Sequence, residues 1–303
     1  MGRLVFVVAL VIASGLPLVM CEDAWGGDAL LLCGREEVFV VDPAVLASGK
    51  LEKFWSWEAA GKAGLPPEMV RTFASTDECK PIRGGRQILV TSSSGGCALV
   101  DYPSGEVKWF ARVANAHSIE LLPGDRVVVA GSVHKEGNLL AVFDLGRSNE
   151  PIWTTELVSA HGVVWDDGRE ALWALGLDEL RRYELKDWET DSPSLKLVAT
   201  HALPDESGHD LLAVPGSDDL LVTTANTVSL FDRDQGTFRP HPELKDKAHV
   251  KGATIHPKTG KTFYVEALGE GRWWSNSVRS LTPPRELSTP GEDLYKVRWL
   301  LGE

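Results

Sequence analysis

Three histidines stand at matching points of similar sequence segments, and their side chains could bind a metal or move a proton. His117, His161 and His209 each follow a small residue and precede a short apolar run. They lie 44 and then 48 residues apart. Neutral imidazole is a ligand for zinc, copper, iron and nickel, and such a divalent metal could act as a Lewis acid. Imidazole also exchanges a proton near neutral pH.

Two lysines and a tyrosine fall at corresponding points later in the chain. Lys251 lies six residues before a proline, as His117 and His209 do, and Lys296 follows Tyr295 in the last apolar segment. The lysines could neutralise a carboxylate, while Tyr295 could donate or accept a proton in β-elimination. A buried structural tyrosine is the alternative. We predict catalytic roles for His161, His209, Lys251 and Tyr295, and substrate-binding roles for His117 and Lys296.

These residues belong to an internal repeat of about 45 residues that contains four short strands. Each histidine begins the first strand, a second apolar strand follows, and the third ends in an aromatic and an acidic residue. Four strands in each such unit are typical of a β-propeller. The first strands line the central channel, so we expect the histidines and lysines to form a ring at its mouth. Asp77 or Lys80 would complete this ring.

The two ends of the sequence complete the count of blades. The chain beyond residue 27 begins with segments that match second, third and fourth strands, and the missing first strand is supplied by Leu294 to Leu300. One blade is thus assembled from both ends, which removes an open sheet edge. We predict an all-β, six-bladed β-propeller over residues 28–303, closed by its C-terminal strand. Residues 57–73 form an insertion between the first two blades, in which glycines and prolines interrupt any helix.

Residues 1–27 are predicted to be a signal peptide or lipoprotein leader, because one basic residue, Arg3, precedes a short apolar run. The segment ending at Cys21 resembles a bacterial lipobox, which would place a lipid anchor there; ordinary cleavage nearby is the alternative. We therefore expect a periplasmic or extracellular protein. No later stretch is long and apolar enough for a transmembrane segment. The formal charge of -12 excludes nucleic acid as a partner.

The motifs NAHSIELLP, AHGVVWD, GHDLLAVPGSDDLLVTTA and GRWWSNSVRSL, together with the final LYKVRWL, carry a resemblance to a known group. The chain resembles a family of bacterial secreted proteins of unknown function that are predicted to be six-bladed propellers. The placement of histidines at the inner ends of the blades is similar to that in propeller polysaccharide lyases acting on uronic-acid sugars. This second similarity is one of arrangement and carries no residue over.

A second group of residues has the composition of a sugar-binding surface. Trp273 and Trp274 could stack on pyranose rings, and Arg279 could hold a carboxylate in bidentate fashion. We predict substrate-binding roles for these three residues. Packing within a blade is the alternative for the tryptophans.

The sequence leads us to predict a monomeric propeller that binds an acidic carbohydrate, or another small anion, at the channel mouth. It could also be a carbohydrate lyase, with or without a divalent metal held by His117, His161 and His209. Two alternatives stay open. The histidines could form a structural hydrogen-bond network with acids at the ends of third strands, or the protein could be a non-catalytic scaffold for protein partners or a ligand sensor at the cell surface. No serine-hydrolase elbow, phosphate loop or dinucleotide motif is present.

Overall fold

A computed structural model describes residues 27–147, 149–269 and 271–302. These residues form six antiparallel sheets of four strands each, arranged as the blades of a β-propeller. The all-β, six-bladed fold predicted from the sequence is confirmed. Apart from its last residue, Gly27, the predicted leader lies outside the described residues. No helix among the described residues has the length and hydropathy to cross a bilayer.

Five of the blades are built from consecutive strands, and in each the first strand in sequence lies at one edge of the sheet. Blade two contains β4 (Thr76–Ile82), β5 (Gln87–Ser92), β6 (Gly96–Asp101) and β7 (Val107–Arg112), and blade three contains β8 (Ala116–Leu122), β9 (Arg126–Gly131), β10 (Leu139–Asp144) and β11 (Trp153–Glu156). Blade four contains β12 (Gly162–Asp166), β13 (Ala171–Leu175), β14 (Glu179–Lys186) and β15 (Ser194–Ala202), and blade five contains β16 (Asp210–Ala213), β17 (Asp219–Thr223), β18 (Val228–Asp232) and β19 (Thr237–Pro240). Blade six contains β20 (Val250–Ile255), β21 (Thr262–Glu266), β22 (Ser277–Ser280) and β23 (Arg285–Ser288).

Blade one is assembled from both ends of the described chain. The C-terminal strand β24 (Leu294–Leu300) pairs with β1 (Ala29–Gly34), which pairs in turn with β2 (Glu37–Val41) and β3 (Trp55–Glu58). Every residue of β24 and β1 is buried. The prediction that the C-terminal strand closes this blade is confirmed, and the closure hides the sheet edge that β1 would otherwise expose.

The burial pattern of a strand follows its distance from the central axis. The second strand β9 is buried at every position, because neighbouring blades cover both of its faces. The outer strand β7 alternates between buried and exposed residues, as expected for a half-solvated sheet. Aromatic side chains fill the space between blades: Trp109 meets Phe143 edge to face at 5.4 Å between ring centroids. The core is therefore divided among the interfaces between blades.

The helical segments are short, as the sequence indicated. Helix α1 (Pro43–Ala47) lies between β2 and β3, and its N-cap Asp42 accepts a hydrogen bond from the amide of Ala44. The insertion between blades one and two contains α2 (Pro67–Val70) and a 3-10 turn (Arg71–Phe73). The insertion begins after Glu58 and not at Trp57, which lies in β3. Phe73, at the end of the insertion, contacts Trp57 in an edge-to-face arrangement. The insertion thus packs on the core and brings the chain to the start of β4.

Candidate functional site

In four of the blades, a β-bulge at the start of the first strand aims one side chain at the channel mouth. In β4, Thr76 pairs with Ser92 and Glu78 pairs with Thr91, so the intervening Asp77 has no partner of its own. Such a bulge redirects a side chain and is common beside functional sites. The same irregularity occurs in three further blades, at His117, Lys251 and Tyr295.

Two further histidines occupy the equivalent position, immediately before the first strand. His161 donates its amide hydrogen to Leu175 at 2.9 Å, and His209 donates to Thr223 at 2.8 Å. Each of these carbonyl groups belongs to the residue that also pairs with the next position of the first strand. All six blades therefore contribute one equivalent side chain, and we call these residues the mouth ring: Asp77, His117, His161, His209, Lys251 and Tyr295.

The mouth ring forms the floor of a cavity of about 770 Å³. Loops from all six blades line it, including the β21–β22 loop that carries Trp273 and Trp274. These tryptophans are 58% and 37% exposed. A volume of this size is typical of a small-molecule site. The cavity therefore combines a floor of ionisable side chains with an aromatic rim.

The histidines of the mouth ring are packed side by side and held by the backbone. The ring centroids of His117 and His161 are 4.4 Å apart, and those of His161 and His209 are 5.6 Å apart. Nδ1 of His117 donates to the carbonyl of Asn115 at 3.0 Å, and Nδ1 of His161 donates to that of Ser159 at 2.8 Å. This leaves each Nε2 as a proton acceptor. Burial lowers the pKa of both histidines, that of His117 to about 3.

Lys251 and His209, which belong to neighbouring blades, form a close pair on the floor of the cavity. The Lys251 ammonium donates to Nε2 of His209 at 2.8 Å and lies 4.9 Å from the centroid of the Trp273 ring. Burial lowers the pKa of Lys251 to about 7 and, with the charge of Lys251, lowers that of His209 well below its usual value. Among the described residues, Nδ1 of His209 has no hydrogen-bond partner.

Asp77 and Tyr295 complete the mouth ring. Asp77 accepts a hydrogen bond from the amide of Ser93, and its carboxylate lies 3.8 Å from Nε2 of His117. Burial raises the pKa of Asp77 to about 7. The Tyr295 ring stands edge to face with His117 at 5.6 Å between centroids. Burial, followed by the nearby Asp77 carboxylate, raises the pKa of Tyr295 well above its usual value, so its hydroxyl is a protonated donor.

Lys296, which the sequence placed in the ring, lies in a closed layer below the cavity. The bulge in β24 gives the ring position to Tyr295 and turns Lys296 inward. Its ammonium lies 3.2 Å from a carboxylate oxygen of Glu78 and 3.1 Å from one of Asp210. Arg298 contacts the same two acids at 2.9 and 2.7 Å. We call these four residues the buried charge layer; their side chains are at most 4% exposed.

The pairing in the buried charge layer keeps its members ionised. Burial alone would raise the pKa of Glu78, but Arg298 and Lys296 bring it down to about 2. Burial alone would lower the pKa of Lys296, but the charges of Asp210 and Glu78 raise it above the usual value. Two positive and two negative charges therefore balance one another, and none of the four is unpaired and available to bind a ligand.

Two other residues considered from the sequence also lie outside the cavity. Arg279 is in the third strand of blade six, far from the axis, and forms ion pairs with Glu266 and Glu286. It is therefore not placed to hold a ligand in the mouth cavity. Lys80 lies deeper in β4 and pairs with Glu120 at 2.9 Å. Asp77 is the residue of blade two that completes the mouth ring.

The three predicted metal ligands do not form a metal site as they stand. In the part of the chain that the structure describes, no group of three His, Cys, Asp or Glu side chains is arranged to hold a metal ion. Lys251 occupies Nε2 of His209, whereas Nδ1 of His117 and Nδ1 of His161 donate to backbone carbonyls, an arrangement that metal-binding histidines share. We therefore derive no metal-dependent step from these three histidines.

A repeated feature of the loops was missed in the sequence. The residue two positions before a ring member has a positive φ in four blades: Asn115, Ser159, Ser207 and His249, at 54°, 50°, 60° and 60°. All four line the cavity. Left-handed backbone is uncommon outside glycine, although asparagine and histidine adopt it more readily than most residues. A polar residue recurs two positions before the ring member in these four blades, and this recurrence is visible in the sequence alone.

The fold and the cavity together define the class of this molecule: a six-bladed β-propeller with an ionisable ring at one end of its channel. Residues 40–303 match DUF6528, a family of unknown function, and the chain belongs to that family. The matched segment contains the whole mouth ring. No curated protein matches the chain.

Proposed function

We propose that this chain is an exported protein that binds an acidic carbohydrate, or fragments of one, in the cavity above the mouth ring. The observation that supports this most strongly is the convergence of six equivalent side chains, Lys251 among them, below the rim that Trp273 and Trp274 form. An acidic sugar offers a carboxylate, hydroxyls and an apolar ring face. The cavity offers a cation, hydrogen-bonding imidazoles and an aromatic surface to match them. We expect the protein to act as a monomer.

The charge of the cavity is set by Lys251 and Asp77. Burial brings the pKa of each to about 7. As the pH falls from about 8 to about 6, Lys251 gains a proton and Asp77 loses its negative charge. The histidines stay neutral over this range because burial lowers their pKa values. The cavity therefore becomes more positive, and an anionic ligand should bind more tightly at about pH 6 than at about pH 8.

The same residues could carry out β-elimination on a uronate. Lys251 would hold the carboxylate, and His209 would position Lys251 through their 2.8 Å hydrogen bond. Nε2 of His161 would take the proton from the carbon next to the carboxylate, and the electron pair would form the new carbon–carbon double bond. The bond to the leaving oxygen would break as Tyr295 donates its proton to that oxygen. His117 lies between this base and this acid.

The binding proposal is tested by calorimetric titration with a trimer of galacturonic acid and with the neutral galactose trimer. We expect the acidic trimer to bind and its affinity to rise from about pH 8 to about pH 6, while the neutral trimer binds more weakly at both. Equal affinity for the two trimers, or no binding of either, would overturn the proposal. Incubation of the acidic trimer with the protein, followed by detection of an unsaturated sugar product, tests the elimination step separately.

A second candidate function is a scaffold for a protein partner, favoured by the apolar residues on the rim. Among the described residues, six exposed large apolar side chains lie in loops on the mouth side: Val133, Val158, Leu177, Leu268, Trp273 and Trp274. Exposed apolar surface of this kind marks interaction sites. If the acidic trimer does not bind, replacing Val133 and Leu177 by serine should abolish partner binding under the scaffold hypothesis without changing the fold.

A further inference from the structure

A second cleft adjoins the mouth cavity between blades two and three. It has a volume of about 540 Å³ and shares Ser93 and Asn115 with the wall of the mouth cavity. The β5–β6, β7–β8 and β9–β10 loops surround its opening, and β10 forms part of its floor. Ser93 and Asn115 therefore mark the place where the two cavities adjoin.

Arg112 gives the cleft an uncommitted positive charge. It is the last residue of β7, its side chain is exposed, and it lines the cleft. Among the residues that the structure describes, no carboxylate lies within ion-pair distance of its guanidinium. The acid of the cleft, Glu136, lies 3.6 Å from Lys135. Arginine pairs with a carboxylate through two parallel hydrogen bonds, so Arg112 is suited to an acidic sugar unit.

Neutral polar groups complete the cleft. Ser94 and Thr154 line its walls together with His134. Nδ1 of His134 accepts a hydrogen bond from the amide of Glu136, which leaves Nε2 to act as a donor in the neutral imidazole. Leu139 lies on the floor and is half-buried. A charged group, several side chains that can hydrogen-bond to sugar hydroxyls, and an apolar floor are the components of a sugar subsite.

The cleft and the tryptophans lie on opposite sides of the central axis. Trp273 and Trp274 belong to blade six, and blade three is the opposite member of a six-bladed ring. A straight path from the tryptophans to the cleft therefore passes over the mouth ring. A single sugar would occupy only part of this path, whereas an oligomer would follow it.

We propose that the ligand is an acidic oligosaccharide that crosses the mouth, with one acidic unit at Lys251 and a further one at Arg112. This inference rests on the proposed function and adds the length of the ligand and a second subsite. It predicts that affinity rises with chain length, because only longer oligomers reach the cleft.

The test is calorimetric titration of the full chain with galacturonic acid oligomers, from the monomer to about the hexamer. For the wild type we expect affinity to increase steeply at the length that first reaches Arg112. The Arg112→Met variant should lose this increase, binding the longest oligomer roughly ten- to a hundredfold more weakly, while its affinity for the shortest binding oligomer is unchanged. Arg285→Met, a variant of an exposed arginine on the outer strand of blade six, should behave like the wild type.

The outcomes separate the two proposals. If short oligomers bind but affinity does not grow with length, or if Arg112→Met matches Arg285→Met with the longest oligomer, the cleft is not a subsite and the mouth cavity alone binds the ligand. If no acidic oligomer binds at any length, the proposed function itself is overturned.

Discussion

The mouth ring and the buried charge layer lie on the same inner strands, and three pairs of their members are chain neighbours, yet only the buried charge layer is balanced by ion pairs. Asp77 and Glu78 are neighbours in β4, as Tyr295 and Lys296 are in β24. The first of each pair faces the cavity, and burial displaces its pKa upward without a balancing ion pair. The second is held among opposite charges that keep it ionised. The bulge separates the two environments by a single residue.

This difference indicates which layer serves the fold and which is available for chemistry. In the buried charge layer, Glu78 and Asp210 each contact both Lys296 and Arg298. Such a network leaves no group to meet a ligand, and its loss should affect folding. In the mouth ring, perturbed pKa values occur beside an open cavity, a combination that is typical of functional sites. Loss of a ring residue should therefore affect ligand binding more than folding.

The largest expected effect comes from breaking the buried charge layer. Arg298→Met leaves Glu78 and Asp210 with Lys296 as their only remaining cation from this layer. Leaving a buried charge uncompensated typically costs about 3–5 kcal/mol of unfolding free energy. Urea denaturation measures the loss. Arg285→Met, at an exposed position, should change stability by less than about 0.5 kcal/mol. A loss below about 1 kcal/mol for Arg298→Met would show that this layer does not hold the blades together.

The next effect is a pH dependence that belongs to the mouth ring. Burial lowers the pKa of His117 from its usual 6.5 to about 3, so the unfolded chain binds the proton that the folded protein excludes. The associated stability is complete above about pH 6.5 and is lost as the pH falls toward about 3. The slope is about 1.4 kcal/mol per pH unit. The unfolding free energy of His117→Gln should therefore fall by about 1.6 kcal/mol less than that of the wild type between about pH 6.5 and about pH 5.

Urea denaturation at the two pH values checks this prediction, and exposed His134 provides the matched control. His134→Gln should retain the slope of the wild type. If His117→Gln and the wild type lose stability equally on acidification, the imidazole of His117 is not excluded from protonation by its place in the ring.

A smaller effect is expected at the rim. Trp273 is 58% exposed, so Trp273→Ala should change the unfolding free energy by less than about 0.5 kcal/mol. Its loss as a stacking surface should weaken binding of the galacturonic acid trimer roughly two- to tenfold. Leu197→Ala, at another exposed apolar position on the outer strand β15, should leave binding unchanged. Equal affinities for the two variants would remove Trp273 from the site.

The repeat made the fold predictable, because the same four-strand sequence pattern recurs from blade to blade. In addition, the two ends of the chain contain complementary strands of one blade. The ring was predictable to within one residue. His117, His161, His209 and Lys251 stand where the repeat placed them, but the bulge in β24 exchanges Tyr295 for Lys296. A shift of one residue leaves no trace in a hydrophobic pattern when both faces of a strand are buried.

The contacts that pair distant residues could not be predicted. Arg298 contacts Glu78 and Asp210, which belong to two other blades and lie far from it in sequence. No local sequence pattern marks this pairing. Likewise, the sequence GRWWSNSVR by itself does not show that Trp273 lies at the rim of the cavity while Arg279 lies in the third strand of its blade. Those placements depend on where β22 begins, at Ser277.

The most direct test of the central claim, that the mouth ring binds a ligand and the layer below it maintains the fold, is Lys251→Met. Its ligand affinity and its unfolding free energy should be measured in parallel with those of Lys196→Met, which alters an exposed lysine on β15. We expect Lys251→Met to bind the galacturonic acid trimer at least about tenfold more weakly at about pH 6. Its unfolding free energy should fall by no more than about 1 kcal/mol, because removing a buried charge offsets the lost hydrogen bond to His209. Unchanged binding together with a large loss of unfolding free energy would contradict the account and assign the mouth ring a structural role.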